Sequence, residues 1–199
     1  MKIILASQSP RRRELLERMG IFDFEVIPAQ VEEILHTELP PIQLVEDLSR
    51  RKCAVVSANH PDDLVIAADT VVSIDNRVLG KPQDRVEAAE MLFLLSGREH
   101  TVYSGLTVCC RGRVMTEHEA TAVRFRPLTT SEITDYINTG EPMDKAGAYG
   151  IQGYGSVLAE SISGDYYNVM GLPVCRLALL LSQFGIDTLS LAAKKEQAK

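Results

Sequence analysis

Hydrophobic and polar residues follow two different periods along the chain, and these periods predict strands and helices in turn. Apolar or alternating runs predict strands at residues 2–6, 22–28, 64–74, 101–110 and 115–125, with a short return strand after residue 76. Helical spacing predicts helices at residues 10–19, 84–96 and 129–140, and after the prolines at positions 40, 41 and 173. Residues 157–169 are predicted to form a final hairpin that turns near Gly164.

The stretch LASQSPRRRELL, residues 5–16, combines a strand end, a serine-bearing turn and a helix start. Ser9 is a natural N-cap, and Pro10 suits the first helical position because no hydrogen bond is required of its nitrogen. Three arginines at positions 11–13 crowd the positive end of the helix dipole, so an anion is expected to compensate for them. Free backbone N–H groups at a helix N-terminus also bind phosphate. The alternative is a basic patch that only faces solvent.

The faces of this first helix separate the three arginines. Arg13 is predicted to pair with Glu17 at i,i+4, whereas Arg12 shares the inward-facing apolar stripe of the helix. We therefore expect Arg11 and Arg12 to hold phosphate and Arg13 to be solvated.

Two charged residues occupy positions where the pattern predicts a hydrophobic side chain. Lys52 lies on the apolar stripe of the helix after Pro41, so either its ammonium reaches solvent along a buried stem or it points into a pocket. Asp69 lies in the apolar strand LVIAADTVVSI and must meet a cation, hydrogen-bond donors or a metal. A structural ion pair with Lys81 is one alternative for Asp69. A three-residue turn would place Lys81 on the Asp69 face of the sheet, and a two-residue turn would place it on the other face.

Two further polar segments have the chemistry to contact a ligand. Glu32 and Glu33 follow a predicted strand, either as a solvated loop or as metal ligands. The segment EPMDKAGAYGIQGYG, residues 141–155, contains four glycines that permit close backbone approach, but it matches neither the dinucleotide fingerprint nor the P-loop. Within it, Asp144, Lys145 and Gln152 are suited to contact a polar ligand.

Composition narrows the class of ligand. The 199-residue chain is 45% hydrophobic, enough for one sizeable core, and residues 189–199 are expected to fray. A net charge of −6 and a pI near 5.3 argue against nucleic acid or acidic membranes as partners, so a basic cluster is expected to serve a small anion. The sequence contains no signal peptide, no membrane-spanning run and no metal-type cysteine spacing, which predicts a cytoplasmic protein.

Several motifs occur in the same order as in the Maf family of nucleoside triphosphate pyrophosphatases, which the chain resembles from residue 3 to about residue 186. These motifs are SQSPRRRELL, VEE, AADTVV, GKP, SGREHTVYSG, EPMDKAGAYGIQG and GDYYNVMGLP. The resemblance implies an elongated mixed-sheet α/β fold, similar to inosine triphosphate pyrophosphatases, with two lobes around a central nucleotide cleft. It assigns residues 1–188 to one domain and implies a homodimer. It also implies hydrolysis between the α and β phosphates with a divalent metal, Mg²⁺ or Mn²⁺.

The resemblance also assigns roles to individual residues. It implies that Asp69 is catalytic and that Glu33 and Asp69 bind the metal, although whether Asp69 acts as base or as metal ligand is open. The implied substrate-binding residues are Ser7, Ser9, Arg12, Lys52 and Lys81, and the residues implied to select the base are Arg11, Thr70 and Gln152.

The segment DKAGAYGIQG is similar to that of the family branch that acts on dTTP and UTP. The branch for methylated guanine nucleotides typically has glutamate in place of Gln152. One alternative is a nucleotide-binding regulator of cell division, which would keep the cations but would not need Asp69 and Glu33. Another alternative is a broad house-cleaning pyrophosphatase for modified nucleotides.

Overall fold

The structure is a computed structural model that describes residues 1–31 and 39–197. Within these residues seven strands form one mixed sheet: β1 (Ile3–Leu5), β2 (Glu25–Val26), β3 (Leu64–Ile74), β4 (Arg77–Leu79), β5 (Glu99–Cys110), β6 (Arg113–Phe125) and β7 (Ala159–Ser163). The same residues form seven helices: α1 (Pro10–Arg18), α2 (Pro41–Ser57), α3 (Arg85–Leu95), α4 (Thr130–Asn138), α5 (Tyr166–Met170), α6 (Val174–Ser182) and α7 (Thr188–Gln197). The predicted mixed α/β class is confirmed.

The central strand β3 is longer than its neighbours on one edge, and this leaves a gap in the sheet. The strand order is β2-β1-β3-β5-β6-β7, and β5 pairs with β3 continuously from Val65 to Ser73. On the opposite edge, β1 pairs in parallel only as far as Ile66, and β4 pairs antiparallel only from Val72 onward. The edge of β3 between these two partners is therefore open.

Backbone groups of β3 point into this gap. Leu64 donates its N–H to Lys2, and Ile66 accepts from Ala6, so even-numbered residues direct their backbone groups to the β1 edge. By the same alternation, Ala68 and Thr70 direct their N–H and C=O groups into the gap.

Helices cover both faces of the sheet, because alternate side chains of β3 point to opposite sides. On one face Val65, Ala67 and Val71 pack against the apolar stripe of α2. On the other face, Ile66, Ala68 and Val72 belong to the main core, to which α1, α3, α4 and α6 contribute. Asp69 belongs to the first series and therefore faces α2.

A single glycine lets α2 approach the sheet closely. Gly105 on β5 pairs directly with Asp69 on β3, so both residues face α2. A Cβ at Gly105 would lie 2.0 Å from the carbonyl oxygen of Val45 and 2.8 Å from the nitrogen of Glu46. The helix therefore rests on the backbone of β5 at the level of Asp69.

A two-residue turn joins β3 to β4, as expected for a tight hairpin. It consists of Asp75 and Asn76, with φ values of 49° and 60°. This turn length would direct a continued strand with Lys81 away from the Asp69 face, but β4 ends at Leu79 and Lys81 lies beyond the ladder.

Two sequence predictions differ from the structure. The strand predicted at residues 22–28 is only Glu25–Val26. The hairpin predicted at residues 157–169 is wrong in its second half, because Asp165 caps the short helix α5 there. Near the end of the chain lies α7, whose Ala192 lies against Gly20. The assignment of residues 1–188 to one domain and the fraying expected of residues 189–199 stay predictions. Among the described residues, no helix has both the length and the apolar character needed to cross a bilayer.

Candidate active site

A cleft of about 590 Å³ opens beside the gap in the sheet. Nine of the predicted site residues line it: Ser7, Ser9, Arg11, Arg12, Lys52, Asp69, Thr70, Lys81 and Gln152. Glu33, the remaining predicted site residue, lies outside the described residues. The structure thus brings together residues that are up to 145 positions apart, from Ser7 to Gln152.

The loop between β1 and α1 forms one wall of the cleft. Ser9 caps α1 as predicted, with its side chain accepting from the backbone N–H of Arg12 at 3.5 Å. The predicted pair of Arg13 with Glu17 is also present on the solvated face of the helix. Arg12 lies on the opposite side and lines the cleft, as the apolar stripe of the helix indicated.

Hydrogen bonds to three of the described residues fix the guanidinium of Arg12. Its Nε donates to the carbonyl of Gly171 at 2.8 Å, and its two terminal nitrogens donate to Ser7 Oγ at 3.2 Å and to Thr70 Oγ1 at 3.1 Å. The side chain of Thr70 in turn lies 2.8 Å from Ser104 Oγ. A guanidinium held by several acceptors is already oriented before any anion arrives.

Asp69 forms an ion pair with Lys52 from α2, and both side chains are about one-tenth exposed. The predicted alternative partner, Lys81, is exposed at another part of the cleft wall. Lys52 therefore points into the cleft and does not extend to the outer surface. Because a buried carboxylate is costly without a cation, the ammonium of Lys52 offsets the cost of placing Asp69 in this largely apolar strand.

The glycine-rich segment forms the opposite wall. Asp144 accepts from Arg11 at 3.2 Å and from Lys145 at 2.7 Å. The ion pair with Arg11 links α1 to this segment. Burial opposes ionisation of Asp144, but the hydrogen bond from Lys145 and the charge of Arg11 outweigh it, and the pKa of the carboxyl is lowered. Gln152 lies further along the same wall.

Some residues of the cleft were not found from the sequence. Gly171 supplies the carbonyl that fixes Arg12, and its φ of 113° shows a backbone that favours glycine. Ser104 supports Thr70 from the next strand, and Tyr149 lines the cleft floor. The motif GDYYNVMGLP contains Gly171 and the motif SGREHTVYSG contains Ser104, but neither residue was assigned a role from the sequence.

The predicted metal site has one described member. Among the described residues no cluster of three or more histidine, cysteine or acidic side chains is placed to hold a metal. Asp69 nevertheless offers carboxylate oxygens on the cleft wall, which are hard ligands of the kind that Mg²⁺ and Mn²⁺ accept. A single carboxylate fits a metal that takes its other ligands from phosphate oxygens and water.

A buried histidine beneath the cleft predicts how stability depends on pH. His100 is 2% exposed and its Nε2 lies 2.8 Å from the hydroxyl of Tyr149. Burial lowers the pKa of His100 to about 4 from its ordinary 6.5. Between these values the unfolded chain binds more protons than the folded one, so the free energy of unfolding should fall by about 3 kcal/mol as pH drops from 6.5 to 4.

Unfolding by denaturant at several pH values would measure this fall in the free energy of unfolding. The His100→Gln variant lacks the titrating group, and its stability should fall less over the same interval. Equal slopes in the two proteins would contradict the assignment to His100.

The model of the Maf-like protein family matches residues 2–184. A dTTP/UTP pyrophosphatase from Bacillus anthracis is 48% identical over 186 residues, which cover 94% of this chain and 97% of that protein. A dTTP/UTP pyrophosphatase from Moorella thermoacetica is 50% identical over 188 residues, covering 94% and 96%. Among solved structures, a HAM1 protein from Coxiella burnetii gives a TM-score of 0.49 at 14% identity over 92% of this chain and 99% of that one. On the strength of the family match and of these sequence relatives, the chain belongs to the Maf-like protein family.

Proposed function

We propose that this protein hydrolyses dTTP and UTP to the nucleoside monophosphate and pyrophosphate. The observation that carries the proposal is the ion pair of Asp69 with Lys52 at the wall of a cleft that also holds Arg12. Relatives about half identical to this chain over nearly its whole length carry the name dTTP/UTP pyrophosphatase, which supports the same activity here.

The cations of the cleft are the groups that hold the triphosphate. A nucleoside triphosphate carries close to four negative charges, and Arg12, Lys52 and Lys81 supply positive charge on the walls of one cleft. Ser7 and Ser9 add hydroxyls at the start of α1, where the helix dipole also favours an anion. Because hydrogen bonds to three of the described residues fix Arg12, little side-chain entropy is lost when phosphate binds to it.

A divalent cation, Mg²⁺ or Mn²⁺, is part of the proposal, with Glu33 as a protein ligand. Asp69 is a second ligand in the alternative in which it does not act as the base. When bound, such an ion neutralises phosphate charge and makes a coordinated water more acidic. The sequence resemblance is the basis for including Glu33.

Asp69 is the group proposed to accept the proton of the attacking water. The water oxygen forms a bond to the α phosphorus, the bond from that phosphorus to the bridging oxygen breaks, and pyrophosphate leaves with the bonding electrons. The ion pair with Lys52 holds the carboxylate of Asp69 at the cleft wall, which supports its role as the base. Near a triphosphate, the same lysine has a second anionic partner.

Gln152, Arg11 and Thr70 are proposed to select the base. The carboxamide of Gln152 both donates and accepts hydrogen bonds, which suits a pyrimidine edge. Thr70 contacts Arg12 and Arg11 contacts Asp144, so both residues also join the phosphate-binding wall to its surroundings. The homodimer that the resemblance implies stays a prediction.

The bond that breaks is the first test. With dTTP, Mg²⁺ and purified protein, we expect dTMP and pyrophosphate in one step, and water labelled with ¹⁸O should place its label in dTMP. The reaction should stop with EDTA. Appearance of dTDP and phosphate, or of label in pyrophosphate alone, would contradict attack at the α phosphorus.

A panel of triphosphates separates the alternatives. A nucleotide-binding regulator would bind dTTP without turnover, and a broad house-cleaning enzyme would prefer modified nucleotides over dTTP and UTP. The presence of Asp69 in the cleft favours an enzyme, because a binding protein would not need a carboxylate beside the phosphates.

Replacing Gln152 by glutamate is expected to lower activity on dTTP and UTP selectively. At neutral pH glutamate can only accept hydrogen bonds, so a matched donor is lost and discrimination should fall by a factor on the order of ten to a thousand. The measurement is kcat/KM for dTTP, UTP and two purine triphosphates. An equal loss on every substrate would show that Gln152 supports the segment and does not contact the base.

A further inference from the structure

The segment that carries Gln152 is held by hydrogen bonds to one carboxylate, that of Glu141. Glu141 Oε2 accepts from the backbone N–H of Tyr154 at 2.8 Å, and Oε1 accepts from that of Gly155 at 3.0 Å. Oε1 also accepts from the hydroxyl of Tyr136 at 2.8 Å. A carboxylate on one side of the segment therefore holds the chain just after Gln152.

The chain just before Gln152 is held through the same group. The hydroxyl of Tyr136, which donates to Glu141, accepts from the backbone N–H of Gly150 at 2.9 Å. Tyr136 is 6% exposed and belongs to the main core, so its ring cannot move freely. Glu141 and Tyr136 thus form a clamp on both sides of Gln152.

The segment lies so close to this clamp that there is no room for a side chain at Gly153 or Gly155. A Cβ at Gly153 would lie 2.0 Å from Glu141 Oε2, and one at Gly155 would lie 2.6 Å from the Tyr136 hydroxyl. These two glycines of EPMDKAGAYGIQGYG are therefore explained by contact with the clamp.

The Glu141 carboxyl of the clamp is ionised at neutral pH. Burial opposes ionisation of Glu141, but the hydrogen bonds from Gly155, Tyr154 and Tyr136 outweigh it, and the pKa of the carboxyl is lowered. A carboxylate accepts at every oxygen lone pair, so it can receive all three donors at once. Glutamine has nearly the same size but only one accepting oxygen, with two lone pairs, so it cannot receive all three donors.

We propose that Glu141, acting with Tyr136, is a positioning residue for base selection, because it fixes the backbone on both sides of Gln152. Gln152 itself is an exposed side chain with several rotatable bonds. Its carboxamide can discriminate between bases only if the backbone that carries it has a fixed position. A mobile segment could adjust to the hydrogen-bonding edge of any base. This inference rests on the proposed dTTP and UTP hydrolysis.

The Glu141→Gln variant tests the proposal, since it removes one acceptor and introduces a donor that faces the N–H groups. We expect the ratio of kcat/KM for dTTP to that for dGTP to fall by roughly tenfold, the equivalent of one lost hydrogen bond. The loss should appear mainly as a raised KM for dTTP. Turnover at saturation should change much less, because Asp69 and Lys52 lie on β3 and α2.

Two further variants make the result decisive. Tyr136→Phe removes only the hydroxyl that joins the clamp to Gly150, so the same ratio should fall in the same direction, and this variant decides the matter if Glu141→Gln does not fold. Glu132→Gln is the matched control, because Glu132 also accepts a backbone N–H, that of Thr129 at 2.8 Å, but at the exposed start of α4. It should leave the ratio unchanged.

Two outcomes would overturn the proposal. One is an unchanged ratio in both clamp variants, including an equal fall in kcat/KM for both nucleotides. The other is a fall of the same size in Glu132→Gln. Failure of the wild-type protein to hydrolyse dTTP or UTP is a separate result, because it would reject the proposed function before any variant is compared.

Discussion

Replacing Asp69 by asparagine is expected to lower kcat for dTTP by roughly a hundredfold or more, in line with the loss of a general base or an essential charge. Asparagine has nearly the same shape, so the packing of β3 should be retained. Nucleotide binding should persist at least in part, because Arg12 and Lys81 are unchanged. The measurements are kcat by pyrophosphate release, and the Kd for a non-hydrolysable dTTP analogue.

The melting temperature of the same variant separates catalysis from structure. If the role of Asp69 were only to neutralise Lys52, the change would weaken a buried ion pair and destabilise the fold by a few kcal/mol, while each folded molecule would turn over normally. That combination would reject the catalytic assignment. Asp75→Asn is a suitable control, because Asp75 pairs with Arg98 at 2.6 Å on the exposed β3–β4 turn and should affect neither quantity.

Replacing Gly105 by alanine is expected to be the most destabilising single-methyl change at the site. The new Cβ would lie 2.0 Å from the Val45 carbonyl oxygen, and this atom belongs to the backbone of α2, so no side-chain rotation can relieve the contact. Overpacking of this kind costs about 3 kcal/mol or more, which corresponds to a fall in Tm of roughly 6–12 °C for a chain of this size.

Activity should fall with stability in this variant, because α2 carries Lys52 and Gly105 lies opposite Asp69. Gly112→Ala is the control without a steric contact. Gly112 has a φ of 77°, but no atom lies within 4 Å of the position that the new methyl group would take, so this change carries only a backbone cost of about 1–2 kcal/mol, which Gly105 does not share because its φ is not positive. A Tm for Gly105→Ala as high as that of Gly112→Ala would show that α2 can move away from the sheet without loss.

Much of the fold was predictable because its signals are local. The N-cap at Ser9 and the capping box of Thr129 with Glu132 are formed within four residues, and both are present in the structure. The bounds of β3 match the apolar run that predicted them. By contrast, residues 157–169 were assigned as a hairpin because the Asp165 cap and the short α5 resemble a turn followed by an apolar strand.

The sequence by itself determined which residues carry unusual chemistry. A lysine on the apolar stripe of a helix and an aspartate inside an apolar strand are exceptions to pattern, and each exception has a solvation cost that points to a partner or a ligand. Arg12 was assigned to the inner face of α1 by helical period alone, and the structure confirms that it lines the cleft.

Only the tertiary structure decided which of these residues meet. Lys81 is twelve residues from Asp69 and Lys52 is seventeen, yet Lys52 is the partner, because α2 packs on the bare backbone at Gly105 while β4 ends before Lys81. The gap that forms the cleft likewise depends on where β1 and β4 stop along the same edge of β3. The ion pair and the gap both depend on how segments distant in the chain pack and align. A local pattern cannot specify this, because hydrophobic burial is not directional and does not select one partner over another.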